Sequence, residues 1–111
     1  MVHQMKLKES PFERIKDGTK TIEFRLYDEK RRKIQIGDKI EFSKLPELQE
    51  RIIVEVLDIY KDITFEELFK KVLNNEKEIK RKTKSMEQYY SHEQEKEYGV
   101  VGIKIKLLLQ I

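Results

Sequence analysis

The sequence contains no cysteine and no tryptophan, and it has only two prolines and four glycines among 111 residues. Without cysteine, disulfides, thiolate zinc sites and thiol nucleophiles are all excluded. The two histidines, His3 and His92, lie far apart and show no ligand-like spacing, so we expect neither a metal nor another cofactor. No apolar run is long enough to span a membrane, and residues 1–6 lack signal-peptide character. We therefore expect a cytoplasmic location without a membrane partner.

Charge is what the sequence has in abundance, since charged residues make up 41% of the chain and hydrophobic residues 38%. The 24 basic residues slightly exceed the 21 acidic ones, which leaves a net charge of +3. A mild positive excess is compatible with a nucleic-acid partner but does not require one. No shift of composition divides the chain, so residues 1–111 are expected to form a single domain, with a monomer favoured.

Hydrophobic periodicity predicts the order β-α-β-β-β-α-(α)-β. Ser10, Pro11 and Glu13 have the pattern of a capping box with proline at the first helical position, and Gly18 is placed to end that first helix. Alternating apolar residues predict strands over 2–7, 21–26 and 101–109, with another strand following the Gly37 turn. The segment 51–60 has apolar residues on both faces, which predicts a long strand covered on both sides.

Two more helices are predicted in the second half of the chain. Thr64 opens an amphipathic helix, and Ser91 caps a short helix that Gly99 ends. The polar segment 74–85 is either a mobile loop or an exposed helical extension. The whole pattern predicts an α+β fold, a small and mostly antiparallel β-barrel of about five strands with two or three helices.

Three segments together resemble the ASCH domain family. G-T-K-T-I-E-F-R-L at 18–26 resembles its signature, in which a short helix ends at a glycine and a K-x-x-E-x-R strand follows. I-Q-I-G-D-K-I-E-F at 34–42 and E-Y-G-V-V-G-I-K-I at 97–105 are similar to its next strand and its closing strand. The resemblance spans nearly the whole chain, and it implies a PUA-like β-barrel with a cleft beside the first helix and a proposed role in RNA binding.

The principal site candidates lie in the segment 18–25. Because the period is two, Glu23 and Arg25 project from the face opposite the core residues of their strand and can pair with each other. Lys20 lies at the preceding turn, and Thr21 supplies a nearby hydroxyl. Cations can hold a phosphate and a carboxylate can accept from a base amino group, a combination that suits a nucleotide. The alternative is an ordinary salt bridge on a solvated strand face.

An aromatic group forms a secondary candidate, because exposed aromatic rings can stack on bases. Tyr89, Tyr90 and the neighbouring Ser91 belong to it. The alternative is that Tyr90 anchors the last helix on the barrel, and Tyr98 is expected in the core.

Basic segments are the remaining secondary candidates. Ser43 and Lys44 end a predicted strand and border the expected cleft. The densest positive loop can follow a phosphate backbone or can simply be solvated, and it comprises Lys30, Arg31, Arg32 and Lys33. A second basic run has the same two interpretations and comprises Lys80, Arg81, Lys82 and Lys84.

Two classes of function remain open. The first is a module that binds RNA or a nucleotide with Lys20, Glu23 and Arg25. The second is a metal-independent hydrolase of nucleosides or RNA, because the resemblance extends to relatives that are N4-acylcytidine amidohydrolases or ribonucleases. The amidohydrolases rely on a lysine, which Lys20 matches, and on a threonine nucleophile, where this chain has Glu23. That difference favours the binder; in an enzyme, Lys20 and Glu23 would be the catalytic residues.

Overall fold

The computed structural model describes the whole chain, Met1–Ile111. The strands are β1 (Val2–Leu7), β2 (Ile22–Leu26), β3 (Lys39–Lys44), β4 (Arg51–Asp62) and β5 (Val100–Gln110). The helices are α1 (Glu9–Lys16), α2 (Glu29–Arg32), α3 (Phe65–Val72), α4 (Glu76–Met86) and α5 (His92–Tyr98). No helix combines the length and the apolar character needed to cross a membrane.

All five strands belong to one sheet, in which the hydrogen-bonded order is β1-β3-β4-β5-β2. The β3 and β4 strands pair antiparallel, with Phe42 opposite Ile52. The β1 and β3 strands pair parallel, with Met5 opposite Phe42. A parallel pair needs a long crossover, which α1, β2 and α2 supply here. The α+β class and the five strands are thus confirmed, while the sheet is mixed rather than purely antiparallel.

The chain has five helices instead of the two or three that were predicted. The basic segment expected to be a loop contains α2, because the Asp28 carboxylate accepts a hydrogen bond from the Arg31 backbone N–H at 3.1 Å and caps a short helix. The segment 74–85 is helical rather than a loop, since Asn75 caps α4 by accepting from the Glu78 N–H at 3.1 Å. No residue of α4 is fully buried, so it is the exposed helix of the two predicted alternatives.

The first helix starts earlier than its sequence pattern suggests. Lys8, not Ser10, is the N-cap, and it provides no side-chain cap. The Phe12 N–H donates to the Lys8 carbonyl at 3.1 Å, which places Pro11 inside the first turn, where a missing N–H costs no helical hydrogen bond. The predicted end is confirmed: Gly18 follows the helix with a φ of +85°.

The residues group into two compact units. The first comprises Met1–Glu23, Ile34–Ile59 and Ile103–Ile111, and the second comprises Phe24–Lys33 and Tyr60–Gly102. Fully buried side chains of the first unit come from α1, β3, β4 and β5, and they include Phe12, Ile40, Phe42, Ile52, Val54, Val56 and Ile103.

The second unit has an aromatic core around α3. Phe65 and Phe69 stack with their ring centroids 6.1 Å apart, and the edge of Phe24 meets Phe69 at 4.8 Å. Leu68 and Val100 complete the centre of the cluster. The apolar face predicted for α3 is therefore confirmed, and Thr64 caps the helix by accepting from the Glu67 N–H, as its sequence pattern predicts.

Candidate functional site

The turn between α1 and β2 fixes the position of Lys20. The Lys20 N–H donates to the Arg14 carbonyl at 3.0 Å, which ties the start of the strand back to the helix. The Thr19 hydroxyl donates to the Asp17 carboxylate at 2.7 Å, and the Thr19 N–H donates to the same oxygen at 2.9 Å. These hydrogen bonds lower the pKa of Asp17, so the carboxylate stays charged and the turn stays closed over the usual pH range.

A largely buried ion pair lies directly after this turn. The Lys20 ammonium is 3.2 Å from a Glu23 carboxylate oxygen, and the two side chains are only 13% and 5% exposed. The strand alternation does put Phe24 and Leu26 in an apolar cluster, but the opposite face at Glu23 is also covered. The interpretation of Glu23 as part of a solvated surface salt bridge is therefore wrong. A carboxylate and an ammonium held together away from water form a polar site. A ligand that offers a donor to Glu23 and an acceptor to Lys20 can replace the contact between the two side chains.

The other two residues of the principal candidate set are Thr21 and Arg25. The Thr21 carbonyl accepts from the Ile105 N–H at 2.9 Å, and its side chain is exposed. Arg25 is half-buried in β2. Its predicted pairing with Glu23 stays a prediction.

A cavity of about 400 Å³ opens in the first unit beside the Lys20–Glu23 pair. Lys20, Thr21 and Gly18 line it at the turn, and Lys104 and Lys106 line it on β5. Sequence reasoning did not select these two lysines. The signal was present in the alternation of β5, but only the apolar face of that strand was given a role.

Ser43 and Lys44 are part of the framework of the first unit. The Lys44 ammonium lies 3.0 Å from Glu50 and 3.8 Å from Glu13, and it also lies over the Phe12 ring at 5.7 Å. The hydrogen bond to Glu50 raises the pKa of Lys44 and lowers that of Glu50. Ser43 is half-buried opposite Arg51 in the β3–β4 register. The charge of Lys44 is thus already balanced, which weakens its candidacy as a ligand-binding residue.

The arginines of the basic segment also have structural partners, in the second unit. The Arg31 guanidinium donates to the Asp28 carboxylate at 3.1 Å. The Arg32 guanidinium donates to the Tyr98 carbonyl at 2.9 Å and lies 4.4 Å over the Tyr27 ring. The flanking Lys30 and Lys33 are exposed. In the second basic run, Lys80, Arg81 and Lys84 are exposed, while Lys82 lies over the Phe24 ring at 5.9 Å.

The tyrosine candidates have separate roles. Tyr90 stacks on Phe65 at 5.5 Å and packs against the apolar cluster, which supports its interpretation as an anchor. Tyr89 is exposed. Ser91 forms the predicted capping box with Gln94, so its hydroxyl is used within α5. The expectation that Tyr98 lies in the core is wrong, because its side chain is exposed.

A smaller cavity of about 200 Å³ lies in the second unit, between α3, α4 and the start of α5. The buried Glu95 carboxylate lines it and accepts from the Phe65 N–H at 2.7 Å. His92 Nδ1 lies 2.9 Å from the other Glu95 oxygen. Sequence reasoning missed Glu95, which no periodic pattern separates from the other glutamates of α5. No group of three or more acidic and histidine side chains is placed to hold a metal ion.

Comparison with known proteins gives one family. The model of the ASCH domain matches residues 5–109. The chain is similar to the solved structure of the hypothetical protein PH0355, with 40% identity and a TM-score of 0.83, covering 97% of this chain and 100% of that one. It is also similar to protein PF0455 from Pyrococcus furiosus, with 39% identity and a TM-score of 0.71, covering 97% and 98%.

A more distant solved structure shares the fold alone. It is a mutant form of the ZmASCH protein from Zymomonas mobilis, with 14% identity and a TM-score of 0.62, covering 99% of this chain and 72% of that one. No curated protein matches the chain.

Proposed function

The chain belongs to the ASCH domain family, and on that basis we propose that it binds RNA or a nucleotide through Lys20 and Glu23. The observation that carries the proposal is the largely buried ion pair between these side chains, 3.2 Å apart at the α1–β2 turn. The turn and the strand that hold the pair are the segment G-T-K-T-I-E-F-R, in which the resemblance to the family signature lies.

The chemistry of the pair suits a base and a phosphate. An ionised Glu23 accepts hydrogen bonds and cannot donate them, so it selects exocyclic amino groups such as N4 of cytosine. The Lys20 ammonium is a compact donor that attracts phosphate or carbonyl oxygens. A nucleotide can therefore replace the contact between Lys20 and Glu23 with one partner for each. Arg25, in the same strand, adds a planar donor that can hold phosphate oxygens.

The first test measures binding of short single-stranded RNAs by fluorescence anisotropy. Glu23→Gln keeps the size of the side chain but turns half of its acceptor capacity into donors, so it should weaken binding of cytosine-rich RNA by roughly tenfold to a hundredfold, corresponding to about 1–3 kcal/mol for one base contact. Lys20→Met should weaken binding of every sequence. Lys77→Ala removes an exposed lysine of α4. It serves as the control, because it changes the net charge by the same amount as Lys20→Met.

The same protein preparations separate a binder from an enzyme. N4-acylated cytidine and labelled RNA are incubated with the wild-type chain and with Glu23→Ala. Salt-sensitive RNA binding without turnover supports the proposal. Turnover that Glu23→Ala abolishes would show a hydrolase instead. The absence of both binding and turnover in the wild-type chain contradicts the proposal.

A further inference from the structure

The cavity beside the α1–β2 turn has features that the Lys20–Glu23 pair does not use. β5 also lines this cavity, and there Lys104 and Lys106 are exposed while the intervening Ile105 is buried. Neither lysine forms an ion pair with an acidic side chain of the chain. Lys20, which also lines the cavity, has its charge balanced by Glu23 at 3.2 Å. The excess positive charge of the cavity therefore lies on β5.

The spacing of Lys104 and Lys106 matches the distance between successive phosphates of a nucleic-acid strand. Residues two apart on a strand point to the same face, and their Cα atoms are about 7 Å apart. Successive phosphates of an extended single strand of nucleic acid are separated by a comparable length. Two ammonium groups on flexible stems can therefore contact two neighbouring phosphates of one strand at the same time, whereas a free mononucleotide offers a single phosphate.

Apolar side chains also line the cavity. Leu57 of β4 is 41% exposed, although it is a large hydrophobic side chain, and it lines the cavity together with Ile15 and Leu107. An apolar surface beside cations favours a ligand that has both an apolar part and a negative charge, such as a ribose or base attached to a phosphate. The volume of about 400 Å³ lies within the range of small-molecule sites.

From these observations we infer that Lys104 and Lys106 form a backbone-binding track for single-stranded RNA that continues from the Lys20–Glu23 site. This inference rests on the proposed function and assigns it a substrate class, a strand of several nucleotides rather than a free nucleotide. Lys104 and Lys106 hold adjacent phosphates, Leu57 contacts the sugar or base between them, and Glu23 reads a base. The track supplies affinity without sequence preference, because phosphates carry no sequence information.

The test compares Lys104→Ala/Lys106→Ala with the control Lys39→Ala/Lys77→Ala, which removes the same charge from exposed lysines outside the cavity. Binding of a short oligoribonucleotide is measured across a range of salt concentrations. Loss of two phosphate contacts should reduce the slope of log K against log salt by about 1.4 and weaken binding about tenfold at physiological salt. The loss should be equal for all sequences. Binding of a nucleoside monophosphate should change much less than binding of the oligonucleotide.

The outcomes separate this inference from the function on which it rests. If Glu23→Gln alters base preference while the β5 double variant retains the wild-type affinity and salt slope, the track is refuted and the proposed function stands. If the β5 double variant and the control weaken binding equally, the effect is net charge and the track is again refuted. If the wild-type chain binds neither ligand, both ideas fail. Circular dichroism of each variant checks that it is folded.

Discussion

Glu95 allows a quantitative test of what holds the helical part of the second unit together. Its side chain is only 8% exposed, and one carboxylate oxygen accepts from the Phe65 N–H at 2.7 Å. Phe65 is the first residue of α3, so its N–H has no partner within the helix. The other oxygen lies 2.9 Å from His92 Nδ1. Glu95 thus joins the start of α5 to the start of α3 with a buried charge at a helix N-terminus, where a negative charge is favourable.

The expected cost of Glu95→Ala follows from these contacts. A hydrogen bond to a charged group contributes about 1.5–3 kcal/mol, and an orphaned buried N–H adds about 1 kcal/mol or more. We expect a loss of about 3 kcal/mol in the free energy of unfolding, or roughly 12 °C in Tm for a chain of this size. Glu95→Gln keeps a neutral acceptor and should lose about half as much. His92→Ala should lose less than about 1 kcal/mol, because His92 is 79% exposed.

Urea denaturation of the three variants at neutral pH, followed by circular dichroism, measures these differences. From most to least stable, the order should be wild type, His92→Ala, Glu95→Gln and then Glu95→Ala, with similar m-values. If Glu95→Ala is no less stable than His92→Ala, the contact with the Phe65 N–H does not stabilise the fold, and the reasoning from burial is refuted.

Three further variants test other parts of the structure by urea denaturation. Gly99→Ala should lose roughly 1–2 kcal/mol, because φ is +72° and the added Cβ would lie 3.2 Å from the Asp62 carbonyl oxygen; an unchanged midpoint would contradict this. The hydrogen bond from His3 lowers the pKa of Asp38, so its stabilisation is present above the unfolded pKa and is lost as pH falls below about 4. Asp38→Asn should remove this loss of stability at low pH. If the stability of the variant depends on pH as that of the wild type does, the charged Asp38 carboxylate does not stabilise the fold. Phe69→Ala should cost about 3–5 kcal/mol because its ring is fully buried, and a cost below about 1 kcal/mol would contradict the core assignment.

The sequence predicts the long strands and helices of this fold well, but it predicts the ends of the helices and their number less well. The long apolar run over 51–60 and the apolar face after Thr64 were sufficient to predict β4 and α3, because long and strongly apolar segments leave few alternatives. The start of α1 was misplaced because Ser10 and Pro11 match a capping pattern, yet the N-cap lies two residues earlier, at Lys8. The short helix α2 has no periodic signal at all, since it depends on the single cap at Asp28.

The sequence predicts the strand that carries the candidate residue Glu23 but not the environment of its side chain. Alternation correctly separates Glu23 from the apolar face of β2, but period two does not tell whether the second face meets water or protein. The burial of Glu23 at 4% exposure depends on long-range packing that a single strand does not encode. Lys104 and Lys106 were overlooked for a related reason, because they line a cavity together with Lys20, which lies far from them in the sequence.

The Lys20–Glu23 pair itself argues for a function beyond stability. Removing two ions from water costs several kcal/mol each, and apolar pairs of similar volume are commonly as stable or more stable. The side chain at position 23 is almost completely buried, so an apolar residue of similar volume there would meet the needs of folding. What an apolar pair does not provide is a carboxylate and an ammonium held together where the ammonium lines a cavity. The nucleotide that we propose as ligand would use both, since it brings its own amino group and its own phosphate.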